Sequence, residues 1–261
     1  MADVEKLEVR VHGDRSLPVL VYLPGLHGDW TLIGRFRKAV SGRLCFAEVT
    51  YPRTLTWSLE DYAAEVEEGL RRQGLNSGWL LGESFGSQIA WPLLARGVFQ
   101  ACGLVLAGGF VRHPARGWIR WGEGMPGGWP LSLFVRALFG FSRIWRLRPD
   151  QEAARAVAEF LARRTVRDRQ AACHRLRLIA GNDPRDIARR ALVPVFGIWG
   201  LWDMIVPWLP VRKWLRRNCP AFRACRIVRR SDHNVLSNGC AEAAEQILRW
   251  IFAVQACEKL R

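Results

Sequence analysis

The residues of this chain best suited to chemistry begin with a serine between two glycines. Gly82-Glu83-Ser84-Phe85-Gly86 follows the apolar run Trp79-Leu80-Leu81 and precedes Ser87-Gln88-Ile89-Ala90-Trp91, so a G-x-S-x-G motif stands where a strand should turn into a helix. In that setting it reads as a nucleophile elbow, with glycines permitting a sharp turn around a strained serine whose hydroxyl is lifted clear of the sheet. A serine hydroxyl alone is a poor nucleophile; it needs a base, and the base needs a group to orient it. His233, in Ser231-Asp232-His233-Asn234, is the candidate base. Asp203, in Gly200-Leu201-Trp202-Asp203-Met204-Ile205-Val206-Pro207, is the candidate acid. A carbonyl under attack develops negative charge on oxygen, which backbone N–H groups can stabilise. Phe85, directly after the serine, is one candidate donor, and Leu26, in Pro24-Gly25-Leu26-His27-Gly28, is the other.

Other residues of the same types have plainer readings. His12 follows an edge strand and His174 lies in a charged helical stretch, which suits structural or surface roles. His113 opens a long insertion and could line a site, but no motif surrounds it. Asp232 adjoins His233 and becomes the acid only if its loop doubles back, so Asp203 is preferred.

The elements that must position these groups can be read from hydrophobic pattern. Leu7-Glu8-Val9-Arg10-Val11 alternates as a strand exposed on one face. The continuous apolar run over 18–23 suits a strand buried on both faces, as do the runs at 44–49, 79–82, 103–107 and 193–199 and a weaker one at 224–228. Helical stretches alternate with them. Leu59–Arg72 carries acids early and arginines late, which complements a helix dipole, with Leu59, Tyr62, Val66 and Leu70 on one stripe. Residues 241–256 place Ala244, Ile247, Leu248 and Ile251 on one face. Strands alternating with helices predict a mostly parallel, doubly wound sheet. Ser84, Asp203 and His233 each follow a predicted strand, and loops at the carboxyl ends of such strands converge on one crevice.

The stretch 110–190 breaks this rhythm. It contains no convincing strand and has helical segments such as 150–164, so it reads as a helical cap inserted into a core of 1–109 and 191–261. Trp118, Trp121, Phe139 and Trp145 within it are candidate substrate-binding residues, offering apolar area to an acyl chain. The cap also holds 17 Arg against 7 Asp or Glu, a balance of +10 within the chain's net +15. Such an excess suits an anionic partner, or a solvated arginine-rich surface.

The polar, acidic start Met1-Ala2-Asp3-Val4-Glu5-Lys6 does not resemble a signal peptide and no apolar run reaches membrane-spanning length, so a cytoplasmic protein is expected. The seven cysteines lack the close pairs of a zinc site and read as free, mostly buried thiols, with Cys219 and Cys225 the pair to consider for a disulfide.

Leu23-Pro24-Gly25-Leu26-His27-Gly28, the serine pentapeptide, Gly200-Leu201-Trp202-Asp203 and Ser231-Asp232-His233 together resemble the successive signatures of the α/β-hydrolase superfamily. The resemblance spans nearly the whole chain outside the insertion. It implies the family's α/β fold, a Ser84-His233-Asp203 triad in the family's chain order, and a lid after the strand at 103–107. Serine as nucleophile, rather than aspartate, sets the chain apart from the dehalogenase and epoxide-hydrolase branches. The expected chemistry is hydrolysis of a carboxylic ester or thioester through an acyl-enzyme, with no metal or organic cofactor. Size and lid position are similar to those of pimeloyl methyl-ester carboxylesterases, which implies an acidic acyl-carrier protein as a partner. A non-catalytic relative that binds an acidic protein or nucleic acid through a basic cap is the alternative. No nucleic-acid-binding motif is recognisable, so that ligand rests on charge alone.

Overall fold

The structure, a computed structural model, describes residues 6–114, 116–117, 162 and 165–258. Seven strands form one sheet: β1 (Glu8–His12), β2 (Val19–Leu23), β3 (Cys45–Thr50), β4 (Ser77–Glu83), β5 (Gln100–Ala107), β6 (Val195–Gly200) and β7 (Phe222–Val228). Their spatial order is β1-β3-β2-β4-β5-β6-β7. β1 runs antiparallel to β3 and the remaining pairs are parallel.

The continuous apolar strands are explained by what covers each face. Along β2, Val21 and Leu23 enter one core while Leu20 and Tyr22 enter the other. The same alternation divides Leu80 from Trp79 and Leu81 in β4, and Leu104 and Leu106 from Val105 and Ala107 in β5. A sheet with two cores needs apolar side chains at every position, because a period of two supplies both faces. The first core is closed by α2 (Leu59–Arg72) and α3 (Gly86–Arg96), the second by α1 (Gly34–Val40) and the long helix α8 (Cys240–Glu258). The expected stripes are inside: Tyr62, Val66 and Leu70 on α2, and Ala244, Ile247, Leu248 and Ile251 on α8. A capping box between Ser58 and Asp61 starts α2.

Between β5 and β6 lie α4 (Val166–Gly181) and α5 (Arg185–Arg190), followed later by α6 (Trp208–Asn218) and the short α7 (Val235–Asn238). The predicted helical segment at 150–164 falls almost wholly outside the described residues. Cys219 and Cys225 are both free thiols, so no disulfide joins them. Of the seven cysteines Cys45 and Cys219 are buried, Cys257 is exposed and the rest are half-buried, less burial than expected. Among the described residues no helix is long and apolar enough to cross a membrane.

The strand order determines where a ligand can sit. After β2 the chain moves to one side, to β3; after β4 it moves to the other, to β5. The direction reverses between β2 and β4, and a crevice opens at the carboxyl ends of two strands so placed. The loop carrying Leu26 leaves β2 there, and Ser84 leaves β4 beside it.

Candidate active site

Ser84 lies between the end of β4 and the start of α3 with φ +48°, the only positive φ at a non-glycine among the described residues. Left-handed backbone is costly for a residue with a side chain, so the surroundings must impose it. The two glycines of the motif act through close approach. A Cβ on Gly86 would lie 2.0 Å from the Leu23 carbonyl oxygen, and one on Gly82 would lie 2.8 Å from the Ser87 Cα. The turn is thus pressed between β2 and the first turn of α3. Ser87 also ties it down, its Oγ donating to Ser84 O at 2.6 Å and accepting from Phe110 N at 3.1 Å.

His233 follows β7 and reaches Ser84: its Nε2 is 2.9 Å from Ser84 Oγ. Its Nδ1 is 2.9 Å from Asp203 Oδ2. The loops carrying the two residues are joined by main-chain bonds from Leu201 N to Val228 O and from Trp202 N to Ser231 O. Gly200 permits that approach, since a Cβ there would sit 2.1 Å from the Asp232 carbonyl oxygen. Asp203 directs its two oxygens differently, with Oδ1 accepting from Ile205 N at 3.0 Å and Val206 N at 2.8 Å, which leaves Oδ2 for the histidine. Asp232 turns away. Its Oδ1 accepts from Asn234 N and Asn238 Nδ2, so it caps the turn into α7.

All three side chains are buried, Ser84 7% and His233 8% exposed. Burial pushes the His233 pKa down, but the charge and hydrogen bond of Asp203, helped by Glu83 and Asp232, outweigh it and leave the imidazole raised above its usual value. His113 lies buried nearby with its ring edge-on to Phe110. Burial and the charge of His233 lower it to about 4, so it is neutral near pH 7. The histidines set aside from the sequence have structural partners: His12 Nε2 is 3.1 Å from Glu48, and His174 Nε2 is 2.8 Å from Trp57 O.

The loop after β2 lies against the serine, for a Cβ on Gly25 would be 3.5 Å from the Ser84 Cβ. Gly28 N donates to Gly25 O at 3.0 Å, and neither Leu26 N nor Phe85 N donates to a main-chain carbonyl in the surrounding turns. The Phe85 ring is held edge-on between Tyr51 and Tyr62. Glu83, before the serine, is buried and accepts a hydrogen bond from Tyr22 Oη. Ser87 and Gln88 are anchors that no sequence motif marks. Gln88 Nε2 donates to Phe110 O and Val111 O, and its Oε1 accepts from Asn182 Nδ2. A polar Ser-Gln pair on an otherwise apolar helix face was the available signal.

Beyond His113 a cavity of about 300 Å³ is lined by Val111, Arg112, Arg116, Arg185, Val211 and Trp214 among others. Of the predicted substrate-binding residues, Trp118, Trp121, Phe139 and Trp145 lie outside the described residues. Among the described residues no three His, Cys, Asp or Glu converge as metal donors.

No protein-family model matches the sequence, and no curated protein matches it by sequence. Solved structures do resemble it. An esterase from Exiguobacterium antarcticum superposes with a TM-score of 0.76 at 16% identity, over 94% of this chain and 95% of that one. A hydrolase from Pseudomonas aeruginosa PA01 gives 0.76 at 16% identity, over 93% of each chain. The enol-lactonase from Burkholderia xenovorans LB400 gives 0.73 at 16% identity, over 94% of this chain and 96% of that one. With the mostly parallel seven-stranded sheet and the serine turn after β4, these likenesses establish that the chain has the α/β-hydrolase fold.

Proposed function

We propose that the protein is a serine hydrolase that cleaves a carboxylic ester or thioester through an acyl-enzyme formed on Ser84. The observation that carries this reading is the continuous chain from Ser84 Oγ through the two nitrogens of His233 to Asp203 Oδ2, with both links 2.9 Å. Asp203, an acceptor, keeps the Nδ1 proton in place and leaves Nε2 free to take the serine proton. Ser84 Oγ then bonds to the carbonyl carbon and the carbonyl electrons move onto oxygen. The Leu26 and Phe85 amides receive that oxyanion, each contributing on the order of 3 kcal/mol by the measure of donors in other enzymes. Protonated His233 gives its proton to the departing alcohol or thiol as the tetrahedral intermediate collapses. Water, deprotonated by the same histidine, attacks the acyl-enzyme, the acid leaves, and Ser84 recovers its proton.

In this reading residues 110–190 are the cap and 1–109 with 191–261 the core. The esterase and the enol-lactonase among the similar structures support ester-type substrates. The finer proposal is an acyl group borne by an acidic carrier protein, supported by the arginine excess of the cap and by Arg112, Arg116 and Arg185 around the cavity beyond His113. A fluorophosphonate probe tests the central reading, because it phosphonylates an activated serine. Labelling of the wild type and none of Ser84→Ala is expected. A wild type that stays unlabelled while a control esterase reacts would favour a non-catalytic binder of acidic partners.

A further inference from the structure

Arg175 of α4 is 2% exposed. A charge so buried carries a large desolvation cost and is usually paired with a carboxylate. Among the described residues Arg175 forms no ion pair. Its Nη1 donates to Leu26 O at 2.8 Å and its Nη2 to Pro52 O at 3.0 Å, while the guanidinium lies 5.4 Å over the Tyr51 ring. Gly28 leaves the room for it: φ there is +80°, and a Cβ would lie 2.3 Å from Nη1.

These contacts bear on the proposed oxyanion loop. The two peptide planes flanking Leu26 are held separately. The first, which contains the Leu26 N–H, is fixed by the bond from Gly28 N to Gly25 O. Because C=O and N–H of a peptide point in opposite directions, that bond turns the Leu26 N–H outward from the turn. The second plane is fixed by Arg175 through the Leu26 carbonyl. With both planes held, rotation at Leu26 is restrained, and the direction of its N–H is set before substrate arrives. Donors aimed in advance stabilise a developing oxyanion without reorganisation at the moment of reaction.

We propose that Arg175 is a positioning residue for the oxyanion hole, holding Leu26 through its carbonyl while never touching the substrate. The inference rests on the hydrolase reading above. It also couples α4 to catalysis. The same helix grips the loop after β3 through Arg53 and Asp168, 2.5 Å apart, and through His174 and Trp57.

The test uses Arg175→Lys, which keeps the charge but cannot bridge two carbonyls with a planar fork, and Arg175→Met, which removes the charge as well. Losing a whole oxyanion donor costs about a hundredfold to a thousandfold in kcat, so a donor left in place but poorly aimed should cost roughly tenfold to a hundredfold, with KM little changed. Affinity for a trifluoromethyl ketone, whose hemiketal oxygen occupies the hole, should fall in proportion to kcat/KM. The acid limb of the pH profile, set by His233, should stay in place. Guanidinium ion added to Arg175→Ala at millimolar concentration should restore part of the rate, and equal sodium chloride should not. If the methionine variant fails to fold, the lysine variant decides. A folded variant whose kcat/KM and ketone affinity stay within about twofold of wild type overturns the proposal, as does a loss of rate with ketone affinity unchanged. A wild type inert to esters and to the fluorophosphonate would instead sink the hydrolase reading itself.

Discussion

Asp203→Asn separates the role of the carboxylate from the geometry around it. Asp203 Oδ1 accepts two main-chain N–H groups, from Ile205 and Val206, and Oδ2 faces His233 Nδ1. An asparagine has one acceptor oxygen, and the two N–H donors will claim it, since an amide NH2 turned toward them would leave three buried donors facing each other. The NH2 then faces His233 and donates to Nδ1. The imidazole is forced into the tautomer with its proton on Nε2, where it can donate to Ser84 but cannot take the serine proton. The fold is undisturbed while the base is inverted. The same exchange in other Ser-His-Asp triads costs roughly ten-thousandfold in kcat, about 5.5 kcal/mol in the barrier. A pH signature should accompany the loss. On the proposed mechanism the active form has a neutral His233, which is lost as pH falls through its raised pKa, so the acid limb should lie above the ordinary histidine value. Without the Asp203 charge, burial dominates and the residual activity of the variant should persist to lower pH. Initial rates of ester hydrolysis from about pH 5 to 9 read both effects. Turnover near wild type in Asp203→Asn, with Asp232→Asn inactive, would refute the reasoning and assign the acid to Asp232.

Ser84→Ala and His233→Ala should each lower kcat by at least about a thousandfold while thermal melts show a folded protein, because each removes an essential chemical step. Gly86→Ala should be destabilising, by about 2 kcal/mol or more in denaturant titration, because its Cβ meets the Leu23 carbonyl at 2.0 Å and a main-chain oxygen cannot swing away. If an acidic carrier docks on the cap, replacing Arg116, Arg120, Arg143 and Arg146 together with Gln should reduce kcat/KM for a carrier-bound acyl group and spare a small neutral ester. Added salt should mimic that loss, since exposed charges act over only roughly 8 Å at 0.15 M. Equal loss on both substrates would mean damage to the cap, and a wild type indifferent to the carrier would end the carrier proposal.

What could be read from the sequence follows physical signal strength. All seven strands are legible, because those buried on both faces need unbroken apolar runs and β1, at one sheet edge, alternates. The run at 224–228, expected to be buried on both faces, is instead the other edge strand β7, where Arg223 and Arg226 are exposed and only Val228 is buried. That Ser84, Asp203 and His233 would share one end of the sheet was legible, because each lies in the loop after a parallel strand. The helix α2, with its acidic first turn and basic last turn, was readable to its bounds. By contrast α1 has no side-chain cap and no acidic first turn, so nothing local marks its beginning, and α6 lacks both and is marked only by Pro207 and Pro210 at its first turn.

Arg175 and Ser87 belong to a different category of the unseen. Both act on main-chain atoms far away in sequence, Arg175 on Leu26 and Pro52, Ser87 on Phe110. A carbonyl acceptor has no residue identity, so no pattern of side chains reveals such a bond. An arginine in a stretch already rich in arginine looks like one more contribution to a charged surface. Only burial distinguishes it: at 2% exposure Arg175 cannot be part of the solvated surface that its neighbours suggest. The basic excess of 110–190 therefore divides into at least two roles. One is a set of exposed charges, such as Arg189 paired with Asp186, whose effects salt will screen. The other is an interior cation that salt cannot reach, bonded to the loop beside the serine. Electrostatic steering and oxyanion geometry should consequently respond differently to ionic strength, the first fading and the second persisting in the same enzyme.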